Sequence, residues 1–230
     1  MLISGLQKLT LLDYPGTVAC TVFTGGCNFR CPFCHNAALV LPELMGQDTD
    51  EEQVLAFLKK RQGVLDGVAI TGGEPLLHKD MASFLEKVRA LGYKIKLDTN
   101  GSFPDRLQEI ISAGLVDRVA MDIKNAPELY ARTVGLPALD LAPIERSKEL
   151  LLRGDVDYEF RTTVVKELHK REDIEAIGQW LSGSRRYFLQ NYKESEQVIR
   201  PVFTSYSREQ LENFQQILRK TIPQVEIRGI

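Results

Sequence analysis

The sequence predicts an α/β protein built as a partial (β/α)6 barrel, and three observations support this fold class. Short runs rich in β-branched and aromatic residues alternate with amphipathic helical patterns along the chain. The alternation gives six βα units, fewer than the eight that complete a barrel. Glycine or polar residues follow every predicted strand, as expected where a site lies at the carboxyl edge of a parallel sheet. We therefore expect an open, mainly parallel sheet with right-handed crossovers.

The first three units fill the amino-terminal half of the chain. The run TVACTVFT predicts the first strand, and the pattern Thr49-x-x-Glu52 predicts a capping box at the start of the first long helix. Gly92 and Gly114 end the two helices that precede them. The predicted strands cover residues 17–24, 67–71 and 93–98, and the predicted helices cover residues 49–61, 79–91 and 104–113.

The last three units show the same alternation of predicted strands and helices. The runs RVAMDI, YEFRTTVV and RYFLQ predict strands because β-branched and aromatic residues dominate them. The predicted strands cover residues 118–123, 158–165 and 186–190, with a final short strand at 225–228. The predicted helices cover residues 127–133, 141–153, 172–181 and 207–221.

Composition narrows the class of protein. The chain has 230 residues, 43% of them hydrophobic and 26% charged, with a net charge of −2. The length allows one large domain or two small ones, and because no linker-like stretch divides the chain we expect a single domain over residues 1–230. The composition is that of a globular protein, and the charge gives no indication of a nucleic-acid or membrane partner. No apolar run is long enough to span a bilayer, and the start lacks the pattern of a signal peptide. We expect a cytoplasmic protein, in which clustered cysteines indicate metal or redox chemistry.

Three of the four cysteines lie within eight residues, in the stretch GGCNFRCPFCHN. Cys27, Cys31 and Cys34 are soft ligands whose spacing allows one short loop to wrap zinc or an iron–sulfur cluster. A cubane cluster usually takes four cysteines, so three would leave one iron open to an outside ligand. Two alternatives are zinc held by the cysteines and His35, and unligated buried thiols. Cys20 falls in a predicted strand and is expected to be a core residue.

Five short motifs accompany this cysteine spacing in a fixed order. They are LLDYPG at 11–16, CPFCHN at 31–36, TGGEPLL at 71–77, DTNG at 98–101 and MDIK at 121–124. Together they resemble the radical S-adenosylmethionine (SAM) superfamily. Within it, the chain is most similar to the anaerobic ribonucleoside-triphosphate reductase activating proteins and related glycyl-radical-enzyme activases. The fold class is then a partial barrel of the radical SAM type.

The resemblance implies two cofactors and a protein substrate. Cys27, Cys31 and Cys34 would hold a [4Fe-4S] cluster, and the open iron would bind the amino and carboxylate groups of SAM. One electron from the cluster would cleave SAM to methionine and a 5′-deoxyadenosyl radical. That radical would take a hydrogen from a glycine of a glycyl-radical enzyme, with an anaerobic ribonucleotide reductase as the expected partner. A flavodoxin or ferredoxin would supply the electron.

The resemblance also assigns residues around the methionine and adenosine portions of SAM. Gly72 and Gly73 would let the backbone approach the methionine amino group, with Glu74 beside it. Phe33 would pack the cysteine loop near the adenine. Gln190, at the end of the sixth strand, would hydrogen-bond the adenosine portion.

Charged residues at the fourth to sixth predicted strands form a second group. Asp98 would lie near the ribose or the sulfonium, and Asp122 and Lys124 share one strand face at the cofactor. Arg161 would be buried and would pair with the cofactor carboxylate. The resemblance further implies a monovalent-cation site at Asp98, Thr99 and Asp122.

Other functions remain open on the sequence alone. A radical SAM enzyme acting on a small molecule, similar to 7-carboxy-7-deazaguanine synthase, is one alternative. A non-catalytic metal-binding protein is another. An incomplete barrel without a large insertion or a second cysteine cluster favours a protein substrate. His78 and His169 belong to no motif and are expected at the surface.

Overall fold

The computed structural model describes residues 1–46, 48–196 and 198–230. Across these residues one sheet of eight strands runs in the order β1 to β8 without closing on itself, which confirms the open partial barrel. The strands are β1 (Ile3–Thr10), β2 (Ala19–Thr24), β3 (Gly67–Gly72), β4 (Lys94–Thr99), β5 (Arg118–Asp122), β6 (Asp157–Val164), β7 (Arg186–Asn191) and β8 (Gln224–Arg228).

Helices connect the strands and cover the outside of the sheet. They are α1 (Ala37–Val40), α2 (Glu51–Lys60), α3 (Met81–Ala90), α4 (Pro104–Ser112), α5 (Tyr130–Thr133), α6 (Ala142–Leu152), α7 (Arg171–Trp180) and α8 (Arg208–Leu218). The helix predicted at 127–133 is divided, because a 3₁₀ turn at Pro127–Leu129 precedes α5. In the part of the chain that the structure describes, no helix has the length and apolar character needed to cross a membrane.

Strand β1 is the element that the sequence did not predict. It pairs antiparallel with β2, whereas β2 to β8 form a parallel series. Its stretch Gln7–Leu9 is exposed, so only its ends carry the buried residues that mark a strand. The barrel therefore begins with one extra strand at its open edge.

The predicted cap of α2 is wrong by one residue. Asp50, rather than Thr49, precedes the helix, and its carboxylate accepts a hydrogen bond from the Glu52 amide at 3.1 Å. Aspartate also places a negative charge near the helix amino terminus, which favours it over threonine at that position.

The two faces of the sheet differ in character. Alternate strand residues such as Cys20, Val22 and Ile70 face the helices and belong to one continuous apolar core. The opposite alternation places charged side chains such as Lys96 and Glu159 inside the barrel, where both are buried. The fold thus positions ionised groups in an enclosed space beneath the carboxyl ends of its strands.

A small second cluster closes the amino end of the barrel interior. Tyr14, in the loop after β1, packs with Ala19 and Ala69, which lie on the inner faces of β2 and β3. The Tyr14 carbonyl accepts a hydrogen bond from the Thr17 amide at 3.0 Å, which shapes this loop as a tight turn. Polar groups deeper in the barrel are therefore shielded from water on this side.

Candidate active site

A cavity of about 510 Å³ lies at the carboxyl ends of the strands. The position agrees with the general placement of sites in parallel α/β sheets. Twelve of the residues proposed from the sequence line this one cavity, and Glu74 does not. They are Cys27, Cys31, Phe33, Cys34, Gly72, Gly73, Asp98, Thr99, Asp122, Lys124, Arg161 and Gln190.

Backbone contacts fix the cysteine loop on several elements. The Gly26 amide donates to the Leu39 carbonyl at 2.7 Å, and the Arg30 amide donates to the Val134 carbonyl at 2.9 Å. Within the loop, the Cys34 amide donates to the Cys31 carbonyl at 3.0 Å. Main-chain geometry therefore positions the three thiols, and the Cys27 sulfur also accepts hydrogen bonds from the Phe29 amide at 3.4 Å and the Asn100 side-chain amide at 3.8 Å.

Burial keeps these thiols protonated. It raises the pKa of Cys27 to about 11 and that of Cys31 to about 12, and it also raises the pKa of Cys34. The positive charge of Lys124 opposes this effect at all three thiols without overcoming it. Because thiolates are the form that binds metal, loading of this loop must release protons.

The arrangement of the donor side chains favours an iron–sulfur cluster over a zinc ion held by the three cysteines and His35. Among the described residues, no three His, Cys, Asp or Glu side chains are grouped closely enough to hold one metal ion. His35 instead lies with its Nε2 2.6 Å from the Lys193 carbonyl. A zinc ion would need its donors roughly 2.0–2.3 Å away, so a site of three cysteines and His35 does not fit. Three soft thiols spread around one cavity suit the larger iron–sulfur cluster.

Cys20 is separate from this loop. Its side chain is fully buried in the apolar core, and burial raises its pKa to about 12. The prediction that Cys20 is a core residue is confirmed.

Gly72 and Gly73 are required by the protein's own backbone. A Cβ on Gly73 would lie 1.9 Å from the Gly26 carbonyl oxygen, and one on Gly72 would lie 2.4 Å from the Thr24 carbonyl oxygen. Gly72 also has a φ of +119°, which side chains rarely permit. The close approach thus joins the end of β3 to the cysteine loop, in addition to any approach to a ligand.

The amide groups next to these glycines are already used. The Gly73 amide donates to the Thr24 carbonyl at 2.9 Å, and the Glu74 amide donates to the Gly26 carbonyl at 2.8 Å. The Gly72 carbonyl accepts one hydrogen bond, from the Asn36 side-chain amide at 3.3 Å. A carbonyl oxygen can accept a second hydrogen bond, so the carbonyl oxygens of this segment, rather than its amides, suit a ligand amino group.

Glu74 lies behind the cavity wall. Its fully buried carboxylate accepts hydrogen bonds from the Leu76 amide, the Thr99 hydroxyl and the Asn100 amide at 3.0, 2.8 and 2.6 Å. Burial raises its pKa to about 7, although all three hydrogen bonds favour the ionised form. Glu74 therefore joins β3 to the end of β4 and does not face the cavity.

Five side chains form a continuous series of alternating charges across β4, β5 and β6. Lys96 pairs with one oxygen of Asp98, and the other oxygen lies 3.0 Å from Arg161 Nη2. Arg161 Nε pairs with Asp122, whose second oxygen lies 2.8 Å from Lys124 Nζ. We call Lys96, Asp98, Arg161, Asp122 and Lys124 the charge chain.

The charge chain determines the protonation of its members. Burial alone would raise the pKa of Asp98 and of Asp122, but Arg161 and the two lysines outweigh it and both carboxyls lie below their usual range. Both acids are therefore ionised at neutral pH. Two aspartates of the protein pair with the Arg161 guanidinium, so its burial does not require a cofactor carboxylate. Pairing of Arg161 with that carboxylate stays a prediction.

Four further predictions concern Gln190, Phe33 and the two histidines outside the motifs. Gln190 is exposed at the end of β7 and lines the cavity. Phe33 is buried, and its ring meets the rings of Phe203 and His169 edge-on at 6.2 Å. The placement of His169 at the surface is wrong, because it is fully buried. His78 is partly buried, with Nε2 2.9 Å from the Gly25 carbonyl.

His169 links the cysteine loop to the charge chain. Its Nδ1 accepts a hydrogen bond from the Val165 amide at 3.2 Å, so its proton lies on Nε2, which donates to the Lys124 carbonyl at 2.8 Å. Burial lowers its pKa, so it is neutral at physiological pH. The ring therefore supports Phe33 on one side and the end of β5 on the other.

Two of the residues that sequence reasoning missed bear on the charges at the site. Lys96 is buried inside the barrel and pairs with Asp98. Its spacing of two residues from Asp98 places both side chains on one face of the strand, and this spacing could have predicted the pair. Asp13 lines the cavity and accepts a hydrogen bond from the Thr21 hydroxyl at 2.5 Å. Asp13 lies in a loop, where no periodicity indicates direction.

Comparison with known proteins decides the family. The sequence pattern of the Radical SAM superfamily matches residues 21–181, which include the cysteine loop, the glycine pair and the charge chain. The chain belongs to the radical SAM superfamily. Membership implies a [4Fe-4S] cluster and SAM as cofactors, in agreement with the three cavity thiols.

Relatives within this superfamily differ in function. A Methanocaldococcus jannaschii protein is 31% identical over 201 residues, covering 85% of this chain and 81% of that protein. Its name refers to glycyl-radical enzyme activation and marks the assignment as provisional. The 7-carboxy-7-deazaguanine synthase of Methanopyrus kandleri is 32% identical over 170 residues, covering 63% of this chain and 66% of that enzyme.

Solved structures share the fold at low sequence identity. A domain of the pyruvate-formate lyase-activating enzyme from Bacteroides vulgatus has a TM-score of 0.58 at 18% identity, covering 71% of this chain and 99% of that domain. Streptococcus suis SuiB bound to S-adenosylmethionine has a TM-score of 0.70 at 14% identity. This match covers 89% of the present chain but only 48% of SuiB.

Proposed function

We propose that this radical SAM protein is an activating enzyme that places a glycyl radical on a partner enzyme. The observation that carries the proposal is the convergence of the cysteine loop and the charge chain on one cavity in a barrel whose sheet stays open. The M. jannaschii relative supports an activating role, because its match extends over most of both chains.

The cysteine loop would hold the cluster and the adjoining rim would hold SAM. When bound, these two cofactors supply one-electron cleavage of SAM and hence abstraction of hydrogen from a C–H bond. Cys27, Cys31 and Cys34 would provide the thiolates, and the carbonyl oxygens near Gly72 and Gly73 would accept hydrogen bonds from the methionine amino group.

The charge chain would orient the carboxylate end of SAM. Its three cations and two carboxylates leave one excess positive charge, which suits a single ligand carboxylate. Its aspartates and Arg161 are held from both sides, so these groups are fixed before the ligand arrives. Phe33 and Gln190 complete the wall at the end expected to hold the adenosine portion.

The open edge of the barrel would admit a polypeptide loop. Among the described residues the sheet does not close on itself, so no strand covers the side of the cavity between β1 and β8. We propose an anaerobic ribonucleotide reductase as the partner and a flavodoxin or ferredoxin as the electron donor.

A second candidate is synthesis of a deazapurine from a small precursor. The M. kandleri synthase favours it through a similar identity, but over a shorter part of this chain than the M. jannaschii protein. The two functions differ in what loses a hydrogen: a glycine of a protein, or a small heterocycle.

Electron paramagnetic resonance separates the candidates. We would load the chain with iron and sulfide, reduce it, and mix it with SAM and an anaerobic ribonucleotide reductase. A glycyl-radical doublet is expected, and it should vanish when the partner glycine becomes alanine or when Cys27→Ala is used. Cys20→Ala is the matched control and should retain the doublet. Absence of a doublet with any glycyl-radical enzyme, together with turnover of a deazapurine precursor, would overturn the proposal.

A further inference from the structure

The oxygen atoms expected to bind a monovalent cation are already engaged by the protein. The resemblance places that cation at Asp98, Thr99 and Asp122. Each of the four carboxylate oxygens of the two aspartates instead contacts a lysine or arginine side chain of the charge chain. Thr99 Oγ1 donates to Glu74 at 2.8 Å and accepts from the Gly101 amide at 3.1 Å. A cation would have to displace these partners.

Lys96 is the residue that completes this pairing. Its side chain is 2% exposed, and lysine is rarely buried unless it is paired. Strand alternation places it on the same inner face of β4 as Asp98, one step deeper in the barrel. Its ammonium is thus a single positive charge built into the barrel at the carboxylate that would otherwise hold an ion.

Charge counting favours the lysine over a bound ion. The charge chain carries three positive and two negative charges, an excess of one. An added sodium or potassium ion would raise the excess to two among side chains that are largely buried, where uncompensated charge is costly. Without Lys96 the excess would fall to zero, and one bound monovalent cation would restore it.

We propose that the Lys96 ammonium takes the place of a bound monovalent cation, so that this chain binds SAM without sodium or potassium. Lys96 is a positioning residue, since it acts on the cofactor site through Asp98. The inference rests on membership of the radical SAM superfamily and not on the identity of the partner enzyme.

The main test is SAM affinity of the iron-loaded chain in choline chloride and in potassium chloride of equal ionic strength. The wild-type dissociation constant should be the same in both salts. Lys96→Met should bind roughly tenfold more weakly in choline chloride, as expected for loss of a nearby charge, and potassium should restore most of the affinity. Lys94→Met, which removes an exposed lysine from the same strand, should behave as wild type in both salts.

Two further measurements make the outcome decisive. The first is sodium NMR, in which a bound sodium ion broadens the line and added potassium reverses the broadening. We expect no such reversible broadening in the wild-type chain and clear broadening in Lys96→Met. The double variant Lys96→Met/Asp98→Asn should again show none. A potassium requirement or competed sodium broadening in the wild type would overturn the inference, even if Lys96→Met failed to fold. Unchanged SAM affinity of a folded Lys96→Met in choline chloride would also overturn it. Neither measurement uses a partner enzyme, so a missing glycyl radical would leave the result intact.

Discussion

Buried ionisable groups in the two halves of the cavity rim have pKa values shifted in opposite senses, toward the neutral form in one half and toward the charged form in the other. In the first half, formed by the cysteine loop and the end of β3, burial dominates and raises the pKa of Cys27, Cys31 and Glu74 to about 11, 12 and 7. In the second half, the charge chain holds the pKa of Asp98 and Asp122 below their usual range. Both halves are similarly enclosed, so burial alone does not decide the charge state.

The difference lies in the partners of each group. Glu74 receives three hydrogen bonds from uncharged donors. Burial at the thiols is opposed by the charge of Lys124 and, at Cys27 and Cys34, by a backbone hydrogen bond. The aspartates have a cation at every oxygen. The thiols of the first half are therefore neutral until a metal binds, whereas the second half carries its own charge before any ligand binds. This division suits a cluster on one side and a zwitterionic cofactor on the other.

The largest effect is expected from removing the thiols of the first half. Replacing Cys27, Cys31 or Cys34 by alanine should abolish bound iron, because each removes one of three ligands from a site with no spare cysteine in its loop. Anaerobic reconstitution followed by iron analysis and absorption spectroscopy measures this. Cys20→Ala should retain the iron and lose only about 1 kcal/mol of unfolding free energy through poorer packing. Loss of iron in Cys20→Ala would contradict the assignment.

In the second half, substitution of Arg161 is expected to have the largest effect, because Arg161 pairs with both aspartates of the charge chain. Arg161→Met leaves each aspartate with one lysine, so we expect a loss of about 3 kcal/mol in unfolding free energy, as for other buried pairs that lose a partner. The pKa of both aspartates should rise toward ordinary values. The stability that their depressed pKa provides is present above the unfolded-state pKa and is lost as pH falls, so the variant should unfold at a higher pH on acidification. Urea unfolding at several pH values measures both effects.

The control for Arg161→Met is Arg171→Met, which breaks an exposed ion pair with Glu175 on α7. Exposed pairs of this kind contribute little, so its unfolding curve should match that of the wild type. Equal curves for Arg161→Met and the wild type would show that the charge chain is not the source of the depressed acid pKa values.

A smaller effect with the opposite pH sign is expected at Glu74. Its folded pKa of about 7 lies above the ordinary glutamate value of 4.5, so the folded state binds the extra proton and the free energy of unfolding falls as pH rises between these values. Glu74→Gln removes this titration but presents an amide N–H₂ to surrounding donors, at a cost of roughly 1–3 kcal/mol. The variant should therefore be clearly less stable than wild type near pH 5 and approach it near pH 8.

Chemical denaturation across this pH range tests the Glu74 prediction. His169 titrates in the same window with the opposite sign, so the difference between variant and wild type is the informative quantity. Glu86→Gln, an exposed substitution on α3, should give a curve parallel to wild type. A constant difference between Glu74→Gln and wild type at all pH values would mean that Glu74 is already ionised at pH 5.

Much of the fold was predictable because its signals are local. Alternating strand and helix patterns gave the parallel series β2 to β8, and chain order then brought the strand ends to one edge. The cysteine loop and the glycine pair were found for the same reason, as they lie within short motifs. Strand β1 was not predicted because residues 7–9 are exposed at the open edge, so the strand lacks the alternation of buried and exposed residues.

The remaining features depend on contacts between distant segments. Burial of His169 follows from packing against Phe33, which lies far away in sequence. The close approach of Gly73 to Gly26 is equally a tertiary contact. The partners of Arg161 depend on the register of β4, β5 and β6, which places both aspartates beside it. A sequence pattern gives the face of a side chain but not which group neutralises it.

The most direct test of the account is cleavage of SAM by the iron-loaded, reduced chain without any partner. We expect 5′-deoxyadenosine and methionine in equal amounts from the wild type and from Cys20→Ala, and neither product from Cys27→Ala. Intact SAM in the wild-type reaction, or product formation that persists in Cys27→Ala, would contradict the central claim that the cysteine loop and the charge chain form one radical SAM site.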